Sequence, residues 1–250
     1  MTDPTTYRGV RIVYMDNHLL VVEKPPNMPT QADASGDLDL QTCMKGYLKE
    51  TCGKPGDVYL GLVHRLDRPV GGLVVLARTS KAAARLSEQA RTHALERVYC
   101  AVVRGDAPPA ATWTDWLRKD EATNTVSVVP PITPSAKEAR LSLTCLARAD
   151  GLSLLRVQLF TGRSHQIRVQ CAHAGLPLWG DARYGQGRPG QQIALWGMAL
   201  CCAHPTLRTA MRFASLPPLE ADPWRGFADC LRDEASRRAQ ADGAPPSPAL

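Results

Sequence analysis

Residues 64–77 read His64-Arg65-Leu66-Asp67-Arg68-Pro69-Val70-Gly71-Gly72, then Leu73-Val74-Val75-Leu76-Ala77: a charged loop runs directly into an apolar strand. The apolar run, bounded by a glycine pair and by Arg78-Thr79-Ser80, suits a strand covered on both faces. The period then changes. Residues 80–93, SKAAARLSEQARTH, are rich in helix formers with apolar positions at helical spacing, and Thr79 or Ser80 stands where an N-cap is needed. The loop holds one carboxylate, Asp67, between two guanidinium groups. Backbone freed by glycine can set such a side chain in a cleft at a sheet edge. An ionised carboxylate there needs a cation or donors, because desolvating it costs several kcal/mol. By itself the run is weak evidence, and a structural Asp-Arg pair in a loop is its more common meaning.

Working outward, residues 10–15 (VRIVYM) and 19–24 (LLVVEK) are β-rich runs around Asp16-Asn17-His18 and predict a hairpin. Residues 25–55 are turn-rich, with a short helix expected near residues 40–50. Val98 to Val103 is a further strand. Two hairpins follow, one turning near Thr123 to Thr125 and one at Asp150-Gly151, a pair well suited to a tight turn. After Phe160 the loop Thr161-Gly162-Arg163 leads to Ser164, the expected N-cap of the helix HQIRVQCAHA, which Gly175 closes. Ile193 to Ala203 reads as a last core strand. These elements predict an α+β fold with a mixed, mostly antiparallel central sheet and flanking helices. One domain over residues 1–230 is expected, followed by a polar, disordered tail over 231–250.

With 250 residues and 44% hydrophobic content, the chain can bury a sizeable core without staples. Its eight cysteines show no C-x-x-C pair and no repeated spacing, so neither a zinc ribbon nor a disulfide framework is indicated, and buried reduced thiols are expected. No apolar run approaches the roughly 18 residues of a membrane span, and a cytoplasmic protein is expected. The net charge of +6 is unevenly spread: residues 61–104 carry +5 and residues 161–192 carry +3, leaving −2 for the remainder. Solvated helix faces and a polyanion partner both explain such a distribution.

Thr161 to Arg168 place cations at the first turns of a helix, where anions are favoured; the anion is an RNA phosphate or Asp67, with a plain surface helix as the alternative. His165, Cys171 and His173 lack the i, i+4 pairing of a helical zinc site and any acidic companion, so no metal is expected. Cys201-Cys202-Ala203-His204 reads as the end of a packed strand. Gly185-Gln186-Gly187-Arg188-Pro189-Gly190 matches a dinucleotide fingerprint in letters only: no strand precedes it, no helix follows, and Pro189 interrupts it. No P-loop and no G-x-S-x-G elbow is present. Tyr99 alternates with Val98 and Cys100 on its strand and is either a core residue or a platform for an unstacked base.

In this order the segments LLVVEKPPNMPT, HRLDRPVGGLVVLARTSKAAARL, RVYCAVVRG, TGRSHQIRVQCAHAGLPLWGDARYG and a final strand ending at His204-Pro205 resemble the RluA-type pseudouridine synthase family over roughly residues 9–219. The resemblance implies the pseudouridine synthase fold with a catalytic cleft. It identifies Asp67 with the family's essential aspartate and Tyr99 with the tyrosine that stacks on the target base and assists removal of the C5 proton. Arg168 corresponds to the arginine that pairs with the catalytic carboxylate, and Arg65 to one that enters the RNA stack where the uridine has left. Leu195 would sit near the uracil, and Arg163 is read as a further RNA contact. The chain departs from the family pattern at Val70-Gly71, where Thr-Ser is common, and at Trp196-Gly197, where His-Ala is common. Many members carry an S4 RNA-binding domain; none is read here, so RNA affinity is expected from the catalytic domain.

The implied reaction breaks the N1–C1′ bond of uridine, turns the base and rejoins it through C5. It needs a carboxylate near the sugar and no cofactor, with Asp67 either attacking C1′ or abstracting a sugar proton. The target must leave its stack, at a cost of a few kcal/mol that an inserted arginine and an aromatic shelf offset. The implied partner is ribosomal or transfer RNA, with no nucleotide cofactor, metal or membrane, and the chain is expected to act as a monomer. A non-catalytic RNA-binding protein of the same fold and a metal-dependent hydrolase are the competing readings.

Overall fold

The computed structural model describes residues 6–53 and 56–240. In chain order the elements are β1 (Thr6–Tyr7), β2 (Val10–Met15), β3 (Leu19–Lys24), α1 (Leu40–Thr51), β4 (Gly61–Leu62), β5 (Gly71–Ala77), α2 (Ser80–Arg91) and β6 (Glu96–Arg104). They continue as β7 (Ala110–Asp120), β8 (Thr125–Val128), β9 (Lys137–Ala149), β10 (Leu152–Leu159), α3 (Gln166–His173), β11 (Leu195–Ala203), β12 (Ala210–Ala214), a 3-10 turn (Trp224–Phe227) and α4 (Ala228–Gln240). The described residues pack as two compact units. Unit 1 holds residues up to 96 together with 197–215 and 235–240, and unit 2 holds 97–196 and 216–234.

In unit 1, β2 and β3 form the expected hairpin, with Arg11 opposite Glu23 and Met15 opposite Leu20. Its turn is set by Asp16, whose Oδ1 accepts the backbone N–H groups of His18 and Leu19, both at 2.7 Å. A short polar side chain that satisfies the backbone two and three residues on replaces the missing ladder bonds. β3 then pairs antiparallel with β5, and every residue of β5 is buried, as a continuous apolar run requires. Helix α2 starts at Thr79, whose side chain accepts the Ala82 N–H, and lays Ala82 and Leu86 against Leu19, Leu73, Val75, Leu200 and Phe213. These positions are one turn apart and form a single stripe. β12, whose alternate residues Met211 and Phe213 point inward, pairs with β11 and is an element beyond those expected.

His204, just past β11, is buried. Its Nδ1 accepts the N–H groups of Thr206 and Leu207 at 3.1 and 2.9 Å. The proton of the neutral ring is thereby on Nε2, which donates to Asp16 Oδ2 at 2.8 Å and ties the strand end to the first hairpin turn.

Unit 2 is built on an antiparallel sheet in the order β6-β10-β9-β7-β8. The β9–β10 turn uses Asp150 and Gly151 at φ 52° and 71°, the pair of positive angles that a tight two-residue hairpin demands. Leu117, Val126 and Ala139 from the sheet close on Val169 of α3. Residues 231–240 correct the expected tail: they continue α4 instead of being disordered. Leu231 is fully buried, and the buried Glu234 carboxylate accepts from Arg156 at 3.2 Å. A helix that buries one narrow stripe is mostly polar, so composition alone misreads it. Residues 241–250, the rest of that expectation, lie outside the described residues.

Candidate active site

Two of the predicted site residues, Arg65 and Asp67, belong to unit 1, and Tyr99, Arg163, Arg168 and Leu195 to unit 2. In unit 1 the loop 64–70 is held from several sides. Thr30 Oγ1 donates to the Leu66 carbonyl at 2.7 Å and accepts from the Leu66 N–H at 3.3 Å. His64 Nε2 accepts the N–H of Val75, and the Val70 N–H closes a turn on the Asp67 carbonyl at 2.9 Å. Asp67 is half-buried and Arg65 exposed.

Beneath this loop lies Lys24, fully buried at the end of β3. Its ammonium donates to the carbonyls of Met28 (2.7 Å), Pro25 (3.0 Å) and Arg68 (3.1 Å). Burial pushes Lys24 down to about 7, while the charge of Asp67 pulls the other way. Lys24 was missed in the sequence; its one signal was a cation ending the strand LLVVEK immediately ahead of Pro25-Pro26. Arg68 does not flank Asp67 as the paired-guanidinium reading suggested. Its guanidinium donates to Ser35 Oγ at 2.8 Å and to Asp37, with Asp33 at 3.7 Å, all on an exposed loop. Ser35's hydroxyl and N–H hold the Asp33 carboxyl below its ordinary value, and the Arg68 hydrogen bond does the same for Asp37.

The residue that follows one departure from the family pattern, Gly72, meets a residue of the other, Gly197. Gly72 adopts φ +121°, and a Cβ on it would lie 2.4 Å from the backbone N and O of Gly197. Only glycine satisfies both the angle and the approach.

In unit 2, Tyr99 sits on β6 opposite Val157 and is 6% exposed. Arg168 projects from α3, also 6% exposed, and is gripped by a carboxylate that the sequence reading did not single out. Asp181 takes Nε and Nη2 of Arg168 on its two oxygens, each at 2.8 Å, in a planar fork. Burial alone would raise the Asp181 carboxyl, but the Arg168 fork and the N–H groups of Tyr184 and Arg183 overcome it and hold the group below its ordinary value. The Asp181 carbonyl accepts from Gly185 and Gly187 at 3.0 and 3.1 Å. A Cβ on Gly187 would lie 2.4 Å from the Gly180 carbonyl carbon. Gly185 and Gly187 thus close a tight loop on the backbone carbonyl of Asp181, which accounts for two of the glycines in the false dinucleotide fingerprint. The Arg168 guanidinium also lies 5.1 Å over the Tyr184 ring. The Tyr184 hydroxyl accepts from Val126 N–H at 2.9 Å and lies 2.6 Å from His165 Nδ1.

The start of α3 corrects one expectation. Ser164 is not the cap: the residue before the helix is His165, in the left-handed region at φ 52°, with no side-chain cap. Gln166, the first helical residue, instead ties down the loop ahead of the helix, its Oε1 accepting from Arg163 N–H at 3.0 Å and Thr161 Oγ1 at 2.8 Å. Arg163 is exposed, with Nε on the Glu138 carbonyl at 2.8 Å, and Leu195 is buried at the start of β11. Cys171 is fully buried, which pushes its thiol up to about 12. Among the described residues no three His, Cys, Asp or Glu side chains gather as metal ligands would, and no helix is long and apolar enough to cross a membrane.

Residues 18–173 match the family described as RNA pseudouridylate synthase. The ribosomal large subunit pseudouridine synthase D of Zymomonas mobilis is 32% identical over 204 residues, covering 78% of this chain and 63% of that protein. The protein of the same name from Yersinia pestis is 34% identical over 179 residues, covering 71% and 53%. The chain thus spans between half and two-thirds of the length of these relatives. Among solved structures, human RNA pseudouridylate synthase domain containing 4 superposes with a TM-score of 0.69 at 21% identity, over 88% of this chain and 92% of that one. That likeness concerns the fold.

Proposed function

The chain belongs to the RNA pseudouridylate synthase family, and on that premise we propose that it isomerises uridines in RNA to pseudouridine with Asp67 as the catalytic carboxylate. The observation that carries the reading is the span of the family match. It takes in the HRLD loop, the VYCAVV strand and the HQIR helix, and so Asp67, Tyr99 and Arg168 together. The braced loop supports it too: a carboxylate that must act at a defined atom gains from a turn whose flanking carbonyl is pinned by a buried ammonium.

In the proposed reaction the N1–C1′ bond breaks, the uracil turns, and C5 bonds to C1′. The C5 proton leaves and N1 takes one up, so no oxidant or reductant is consumed. Asp67 acts at the sugar, either as nucleophile at C1′ or as base toward a sugar proton. Tyr99 offers a ring for the base and assists loss of the C5 proton, and Arg168 supplies the counter-charge to the carboxylate. Arg65 fills the gap left in the stack, Leu195 packs at the uracil and Arg163 contacts the RNA. Ribosomal RNA is the substrate to test first, since relatives named for the large ribosomal subunit match; transfer RNA is the second.

The test is tritium release from ribosomal and transfer RNA labelled at C5 of uridine, with pseudouridine identified in the product. Release is the expected result, and its absence from both RNAs refutes the proposal. A pseudouridine map of cellular RNA with and without the gene then names the position.

A further inference from the structure

Strand β6 places Arg97 two residues before Tyr99, so the two side chains leave the same face of the unit 2 sheet. The register identifies that face. Arg97 is opposite Leu159, Leu159 is opposite Leu141, and Ala139, two residues before Leu141 on β9, packs against Val169 of α3. Arg97 therefore lies on the side of the sheet that α3 covers. Its guanidinium reaches the loop ahead of that helix: a Cβ built on Gly162 would fall 2.7 Å from Nη1. Arg97 is half-buried, its Nε is fully buried with no hydrogen-bond partner, and no carboxylate pairs with it among the described residues. Arg104 and Arg212 also have a buried, unpartnered Nε. Arg104 lies seven positions along β6 on the opposite face and Arg212 belongs to unit 1, so Arg97 alone of these shares a face of the unit 2 sheet with Tyr99.

We propose that Arg97 binds a backbone phosphate of the RNA, beside the nucleotide that stacks on Tyr99. The proposal rests on the RNA-modifying reading above and adds a binding residue to it. A guanidinium half-withdrawn from water is pre-oriented for two oxygens of one phosphodiester, and Gly162 leaves room for it where any side chain would push it aside. Such a contact positions the strand without reading its sequence.

The experiment measures binding of a fluorescein-labelled RNA stem-loop with a uridine-containing loop to the full chain, by anisotropy across a series of salt concentrations. Arg97→Gln is expected to weaken binding about tenfold at low salt and to reduce the slope of log affinity against log salt by about 0.7 to 0.9, the share of one phosphate. Arg97→Lys retains the slope. Gly162→Ala, at a position without positive φ and against only the flexible end of a side chain, weakens binding several-fold with an unchanged melting temperature. Arg118→Gln removes the same charge from the exposed, opposite face of β7 and leaves the slope closer to the parent than Arg97→Gln does. A parental slope and affinity in Arg97→Gln overturns the proposal. So does loss of the Arg97-dependent affinity to millimolar inorganic phosphate at constant ionic strength, which marks a free-anion site. Binding is read without turnover, so failure of the isomerase reading, an absence of tritium release by the unaltered chain, is a separate result.

Discussion

Gly72→Ala and Gly197→Ala add the same methyl group to two residues in mutual contact, yet the structure assigns them different outcomes. At Gly72 the new Cβ meets Gly197 N and O at 2.4 Å and Cα at 2.6 Å, all backbone atoms of a neighbouring strand, and φ is +121°. An L-residue held at such an angle costs about 1–3 kcal/mol. Displacing a packed strand to admit the methyl costs about 1–3 kcal/mol more. A total near 4 kcal/mol lowers the melting temperature by about 10 °C in a chain of this length. At Gly197 the new Cβ lies 3.4 Å from Leu73 N and 3.6 Å from Leu66 Cδ2, ordinary contacts, with no positive φ. There alanine is expected to stabilise by about 0.4–1 kcal/mol, by narrowing the unfolded ensemble. Circular dichroism melts of both variants make the comparison. An unchanged melting temperature for Gly72→Ala, or equal losses for the two, refutes the close approach of β5 and β11.

Lys24 makes stability depend on pH. Its folded value is held near 7, whereas the unfolded ammonium keeps its ordinary 10.5. Between these values the unfolded chain binds a proton that the folded chain has released, so stability from this group rises as pH increases from about 7 to 10.5. Lys24→Met is expected to flatten that rise in urea midpoints, and an identical pH profile contradicts the assignment. Asp181→Asn breaks the buried fork on Arg168 and is expected to cost about 3–5 kcal/mol in urea unfolding. A cost below about 1 kcal/mol means that the fork is not structural.

The elements most readable in the sequence were those whose local pattern and tertiary role agree. The VRIVYM/LLVVEK hairpin and the continuous apolar LVVLA run are bounded by clear turn residues, the helix from residue 80 carries a helical period behind a cap residue, and all three appear where expected. What was illegible depends on partners distant in sequence. Asp181 lies 13 residues beyond Arg168 with no shared helix or strand register, so nothing local linked the two ends of the fork. Lys24 looks like a strand end until the carbonyls of residues 25, 28 and 68 converge on it. Ser164 is a good cap by type, but the left-handed turn at His165 starts the helix one residue later than the local pattern suggests. The polar face of α4 concealed the stripe that buries Leu231 and Glu234. Arg68 was legible as a charge and not as a tether, because its partners Asp33, Ser35 and Asp37 lie more than thirty residues upstream.

Whether Asp67 performs the chemistry is decided by Asp67→Asn. The substitution keeps the size of a half-buried side chain and removes only its charge and nucleophilicity. The measurement is tritium release from C5-labelled uridine in RNA, made on protein whose melting curve matches the parent. Release is expected to fall to background while RNA binding persists; release at the parental rate from the folded variant removes Asp67 from the chemistry.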